Sequence, residues 1–198
     1  MAFDHIRQFW AWFVDHEPEL AAATVSESVL ADLEKHLFAI KQLDWEIGPG
    51  VRRRNLFALS PRGNSEDMQI TRSIIAQAPA LADWEFYPAK PPRRWKLKFL
   101  MTVDGKQVQI DGAKWEFIAR PLTDGTYDLV FRAPADINLP REYLDWAAMI
   151  IADGELGEET RMELVENITT VSSWDKKDSL SARRLEAHLL LRTLKGGE

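Results

Sequence analysis

Three Asp-Gly pairs punctuate the middle of the chain: Asp104-Gly105, Asp111-Gly112 and Asp124-Gly125. They separate four runs, Lys96–Val103, Lys106–Ile110, Lys114–Arg120 and Thr126–Arg132, in which apolar and polar side chains alternate. Asp-Gly suits the type I′ turn, because both central residues of that turn need positive φ. Alternation buries one face of a strand and wets the other. Leu97, Phe99, Met101 and Val103 share a face; so do Trp115, Phe117 and Ala119, and Tyr127, Leu129 and Phe131. The pattern predicts an antiparallel meander. It excludes a helical bundle, and also a doubly wound parallel sheet, whose strands are apolar on both faces.

Helical spacing flanks these runs. Phe3, Ile6, Phe9, Trp10, Phe13 and Val14 mark one apolar face, which should end near Glu17-Pro18 because proline disfavours the helical region for its predecessor. Thr24-Val25-Ser26-Glu27 has the form of a capping box. A second helix follows it, with Leu33, Leu37 and Ile40 inward. Asn64, with Asp67 three residues on, caps a third helix. Asn138-Leu139-Pro140 opens another, with Leu144, Ala147, Ile150 and Ile151 inward. Asp178 caps a last helix running to about Leu194. Strands are expected from Trp45, from Asn55, from Trp84 (with Glu85 and Tyr87 on the wet face) and from Arg161 to Val171. Residues 153–158 read as a loop.

The order strand, strand, helix, strand therefore occurs twice. The fold class expected is α+β: two ββαβ-like halves with antiparallel sheets, the central Asp-Gly meander, a helical cover, and extra helices at both ends. The divisions are 1–92, the N-terminal helices and first ββαβ unit, and 93–198, the meander, second unit and C-terminal helix. The two can also merge into one domain.

Phe9-Trp10-Ala11-Trp12-Phe13, the run Trp45 to Gly50, the run Phe57 to Asn64, and the stretch from Ala76 through Trp84 to Pro92 carry a resemblance, as does Gly154-Glu155-Leu156-Gly157-Glu158. On these motifs the chain resembles a family of uncharacterised bacterial cytoplasmic α+β proteins of unknown function. The motifs are aromatic and turn-like. The resemblance implies a fold and a compartment, and no functional residue.

Cysteine is absent, so disulfides, thiolate metal sites and thiol nucleophiles are excluded. No apolar run reaches the ~18 residues of a membrane span, and no basic-then-apolar start marks a secretory signal; a cytoplasmic location is expected. Net charge is −6 but unevenly spread. Residues 1–49 hold 3 bases and 9 acids, whereas residues 50–100 hold 10 bases and 4 acids. The overall acidity disfavours a nucleic-acid partner.

Few residues offer catalytic chemistry in a recognisable pattern. The four histidines, His5, His16, His36 and His188, sit in no nucleophile-elbow or zinc-protease setting. His5 and His16 return to nearly one helix face, but read as partly exposed polar residues rather than metal ligands. Asp153, Glu155, Glu158 and Glu159 lack calcium-loop spacing and read as an acidic loop, or as the complement of Arg93 and Arg94. Gly48-Pro49-Gly50 reads as a turn. No metal and no cofactor is expected.

Eight tryptophans and the basic segment point instead to recognition. Trp45, Trp115 and Trp146 read as core. Trp10 and Trp12 lie about 200° apart on a helix, so one should be exposed or meet another element. Trp95 sits among Lys90, Arg93, Arg94, Lys96 and Lys98. Exposed Trp and Arg are typical interface anchors. The function expected is a non-catalytic protein-binding module of adaptor, inhibitor or immunity type, binding through Trp12, Arg52, Arg53, Arg54, Lys90, Arg93, Arg94 and Trp95. Its partner is another protein, or a second copy in a homodimer, with no membrane involved. The alternatives are an enzyme using carboxylates and arginines in a cleft between the halves, and an anion or nucleic-acid binder through the basic 50–98 segment.

Overall fold

A computed structural model describes residues 2–93, 95–174 and 179–189. The chain divides into two compact units, residues 1–90 and 91–198. Both belong to the α+β class.

Unit 1 begins with α1 (Ala2–Asp15), a short α2 (Glu17–Leu20) containing Pro18, and α3 (Glu27–Phe38). The cap of α3 is Ser26, whose hydroxyl accepts from Val29 N–H, so the capping box expected at Thr24 is displaced by two residues. Strands β1 (Asp44–Pro49) and β2 (Asn55–Ser60) pair antiparallel, with Ile47 opposite Phe57. α4 (Ser65–Ile75) crosses to β3 (Trp84–Tyr87), which lies parallel to β2. Asn64 caps α4, its side-chain oxygen accepting from the N–H groups of Glu66 and Asp67 at 2.8 and 3.1 Å. Phe13 is fully buried, with the rings of Phe9, Trp10, Phe57, Trp84 and Phe86 within 6.1 Å of it. Edge-to-face packing dominates among these rings, the arrangement their quadrupoles favour.

Unit 2 opens with the hairpin β4 (Lys98–Val103) and β5 (Lys106–Asp111). Asp104 (φ 49°) and Gly105 (φ 75°) supply the two positive φ values of its turn. The second Asp-Gly pair makes no hairpin: Asp111 caps a 3₁₀ turn at Gly112–Lys114, and β5 does not pair with β6. The expected meander is thus two separate hairpins. β6 (Glu116–Pro121) pairs antiparallel with β7 (Tyr127–Arg132), and β8 (Val165–Thr170) lies parallel to β7. The two-residue β9 (Leu180–Ser181) completes the order β8-β7-β6-β9. Between β7 and β8 run α5 (Arg141–Leu156) and α6 (Glu158–Leu164). Each unit therefore contains an antiparallel strand pair, a helical crossover, and a third strand parallel to the second.

Two expectations in this region are corrected. Residues 153–156 are the last turn of α5 and Glu158 opens α6, where a loop was expected, and 161–164 are helical rather than strand. Residues 185–189 are helical; Asp178 and Leu194 lie outside the described residues. The core of unit 2 joins Trp115, Phe117, Leu129 and Phe131 of the sheet to Ala147, Ala148 and Ile151 of α5.

Candidate functional site

Trp12 is buried, not exposed. So is Trp10: α1 is covered on two sides, and both indoles find cover. Trp10 donates to Ile74 O at 2.9 Å and packs on Phe57 and Phe86. Trp12 faces α3 and donates to Asp32 Oδ2 at 3.2 Å. Its ring is stacked by His16 at 4.5 Å and by His36 at 5.1 Å. Two of the four histidines thus flank an indole. Among the described residues no group of three or more His, Asp or Glu could hold a metal.

The arginine triplet sits on the loop joining β1 to β2, and a buried carboxylate shapes that loop. Glu85, expected on a wet face, is buried. It accepts hydrogen bonds from the main-chain N–H groups of Arg52 and Arg53 and from the Tyr87 hydroxyl. Burial is the largest single influence on its pKa and pushes it up. The bonds from Tyr87, Arg53 and Arg52, with the charge of Arg52, together outweigh burial and hold the carboxyl below its ordinary value. The same contact, after burial, pushes Tyr87 up to about 12. A Cβ on Gly50 would lie 2.8 Å from Glu85 Oε1 and 2.4 Å from Arg53 O, so the loop closes only with glycine there.

The three arginines have different tasks. Arg53 donates to the carbonyls of Leu81 and Trp84 at 2.8 and 3.0 Å, tying the loop to the start of β3. Arg52 lends its charge to Glu85. Arg54 is exposed and lines a cavity with Asn55. Lys90, at the end of unit 1, is half-buried.

In unit 2, Arg93 is exposed and its guanidinium lies 5.7 Å from the Trp95 ring centroid. Trp95 is half-buried, stacked on Phe99 at 5.7 Å. It also covers Gly154 so closely that a Cβ there would lie 2.3 Å from the indole. The main-chain N–H of Arg93 donates to Gly154 O at 2.7 Å. The segment carrying Arg93 and Trp95 is therefore fastened to the C-terminal end of α5. Arg94 lies outside the described residues.

The acidic residues of 153–159 are partly neutralised where they stand. Asp153 pairs with Arg161 Nε at 2.7 Å, and Glu158 is buried. Glu155 has a raised pKa: burial contributes most and Glu186 adds repulsion, while Arg183 and the Trp95 indole act the other way. The Trp95 Nε1 is buried without a hydrogen-bond partner in proper geometry, so its pull on Glu155 is weak.

One surface feature was read wrongly from sequence. Trp146 is 50% exposed and Met149, one turn on, is 43% exposed. On a helical projection Trp146 lies roughly 150° from the mean direction of Leu144, Ala147, Ala148 and Ile151. The inward set expected from sequence, Leu144, Ala147, Ile150 and Ile151, points only about 115° from Trp146, so with Ile150 in place of Ala148 the indole falls at the border of the core face. Half a tryptophan surface, once covered by a partner, is worth about 3 kcal/mol. No helix among the described residues is long and apolar enough to cross a membrane. No family model, curated protein or solved structure matches the chain.

Proposed function

We propose that this chain is a non-catalytic binding module of the bacterial cytoplasm, and that unit 2 meets another protein through the outer face of α5. The carrying observation is the exposed pair Trp146 and Met149 on that face. A half-exposed tryptophan beside a flexible thioether is a costly surface for a free protein and a good anchor for a bound one. Arg141 and Glu142 give the face a polar rim, and Arg93 and Trp95 are fastened at its far end through Gly154. Rim-and-anchor composition of this kind is common to transient interfaces. The basic segment supports a second reading, anion recognition, through Arg54 alone.

The test is a photo-crosslinking residue at position 149, followed by affinity measurement with the purified partner it captures. Trp146→Ala should weaken that complex by about 30-fold or more, as hot-spot truncations do, with the thermal midpoint unchanged. A captured second copy of the chain would identify the partner as a homodimer mate. Wild-type affinity in the Trp146→Ala, Met149→Ala double variant, or no adduct at 149, would refute the assignment.

A further inference from the structure

The β1–β2 hairpin and the chain between α2 and α3 border a half-open pocket of about 460 Å³ within unit 1. Leu20, Val25, Leu30 and Ile47 are among the apolar residues lining it, and Arg54 and Asn55 are the polar ones. Apolar walls with a few convergent polar groups are the usual make-up of a small-molecule site, and the volume falls in the usual range.

Two further observations point to a ligand. Asn55 is nine-tenths buried, and its main-chain N–H donates to Asp83 O at 2.9 Å. Among the described residues, however, nothing pairs with its side-chain carboxamide. Alternation along β2 puts Asn55 on the face of Phe57 and Leu59, which are fully buried in the core of unit 1. The carboxamide is not among the sealed, unpaired polar atoms, so it is still wetted, and the solvent it meets is that of the pocket it lines. The second observation is Arg54. Arg53 is spent on carbonyls and Arg52 on Glu85, whereas the Arg54 guanidinium has no ion pair or hydrogen bond among the described residues.

We propose that this cavity binds a small organic carboxylate with an apolar body of branched-aliphatic or phenyl size. The planar guanidinium of Arg54 matches the two carboxylate oxygens. The Asn55 carboxamide donates to the same group, exchanging water for a charged acceptor. The apolar body displaces water from Leu20, Val25, Leu30 and Ile47. Inorganic phosphate would satisfy Arg54 and leave those walls wet.

The experiment is an NMR titration of the full chain with 3-phenylpropionate, with 3-phenylpropionamide and with inorganic phosphate. The carboxylate should shift the amide signals of residues 21–25 and Gly48 saturably. The amide and phosphate should bind at least about tenfold more weakly. Arg54→Gln, at an exposed site whose side chain holds nothing in the fold, should weaken the carboxylate by about tenfold or more, equivalent to about 1.4 kcal/mol. Asn55→Leu should weaken the carboxylate by about tenfold or more while leaving the fold's near-ultraviolet dichroism unchanged. The proposal is overturned by any of three results: no saturable shift up to about 10 mM, a Kd that would already be weaker than about 3 kcal/mol of binding; equal binding of acid and amide; or wild-type binding by Arg54→Gln.

Discussion

Glu85 shows how one side chain converts a strand end into a loop anchor. Its carboxylate gathers two main-chain N–H groups and a phenol that would otherwise need water, and the arginine loop is held in one shape as a result. Because its folded pKa lies below the unfolded value near 4.5, its contribution is present above that value and is lost as pH falls through the lower, folded one. Glu85→Gln should therefore cost about 1–3 kcal/mol at neutral pH and flatten the acid limb of stability measured by urea unfolding from pH 7 to pH 3. Tyr87 has the opposite sign. Its folded pKa is raised from 10.0 to about 12, so its contribution is complete below 10.0 and disappears as pH rises towards 12. Tyr87→Phe should remove that alkaline limb; an unchanged pH profile in both variants would show that the carboxylate does not organise the loop.

At the scale of elements, α5 is shaped by what lies on its two ends and two faces. Its last turn contains Gly154, a poor helix residue kept because an indole occupies the place of its Cβ. Gly154→Ala would gain about 1 kcal/mol of helix propensity, yet displacing Trp95 should cost about 1–3 kcal/mol more than that gain. Trp95→Ala should remove the penalty of Gly154→Ala, so that the two changes couple strongly in a double-mutant cycle of thermal unfolding. Additive effects would mean that the indole does not rest on this glycine. The tryptophan at the other end of the helix face obeys no such constraint: Trp146 is free to be exposed because the core side of α5 is already filled by Ala147, Ala148 and Ile151.

At the scale of the molecule, unit 1 holds one sheet and unit 2 holds two, and each unit has its own core. The aromatic cluster around Phe13 lies wholly within residues 1–90. A fragment of residues 1–90 should therefore fold alone, with a cooperative thermal transition of about 60 kcal/mol unfolding enthalpy and a near-ultraviolet dichroism signal from its packed rings. A broad, non-cooperative melt would show that the first unit depends on the second. The repeated strand, strand, helix, strand order was legible because each element has a strong local period. The break between β5 and β6 was not, because Asp111-Gly112 has the composition of a hairpin turn while its geometry is decided by the strand it fails to meet.

Local chemistry alone determined which segments are helix and strand over most of the chain, the cap at Asn64, the positive-φ turn at Asp104-Gly105, and the absence of thiol chemistry. These follow from covalent geometry and from side-chain period, which act within a few residues. Burial was decided only by the tertiary structure. Period says which way a side chain points, and cannot say how many sides of an element will be covered. Trp12 is hidden because α3 closes over the second side of α1. Glu85 is hidden because a loop folds back onto it. Trp146 stays in the open because nothing among the described residues of its unit covers the outer side of α5. Asn55 lines a pocket because helices and hairpin meet beside it, a relation between segments far apart in sequence.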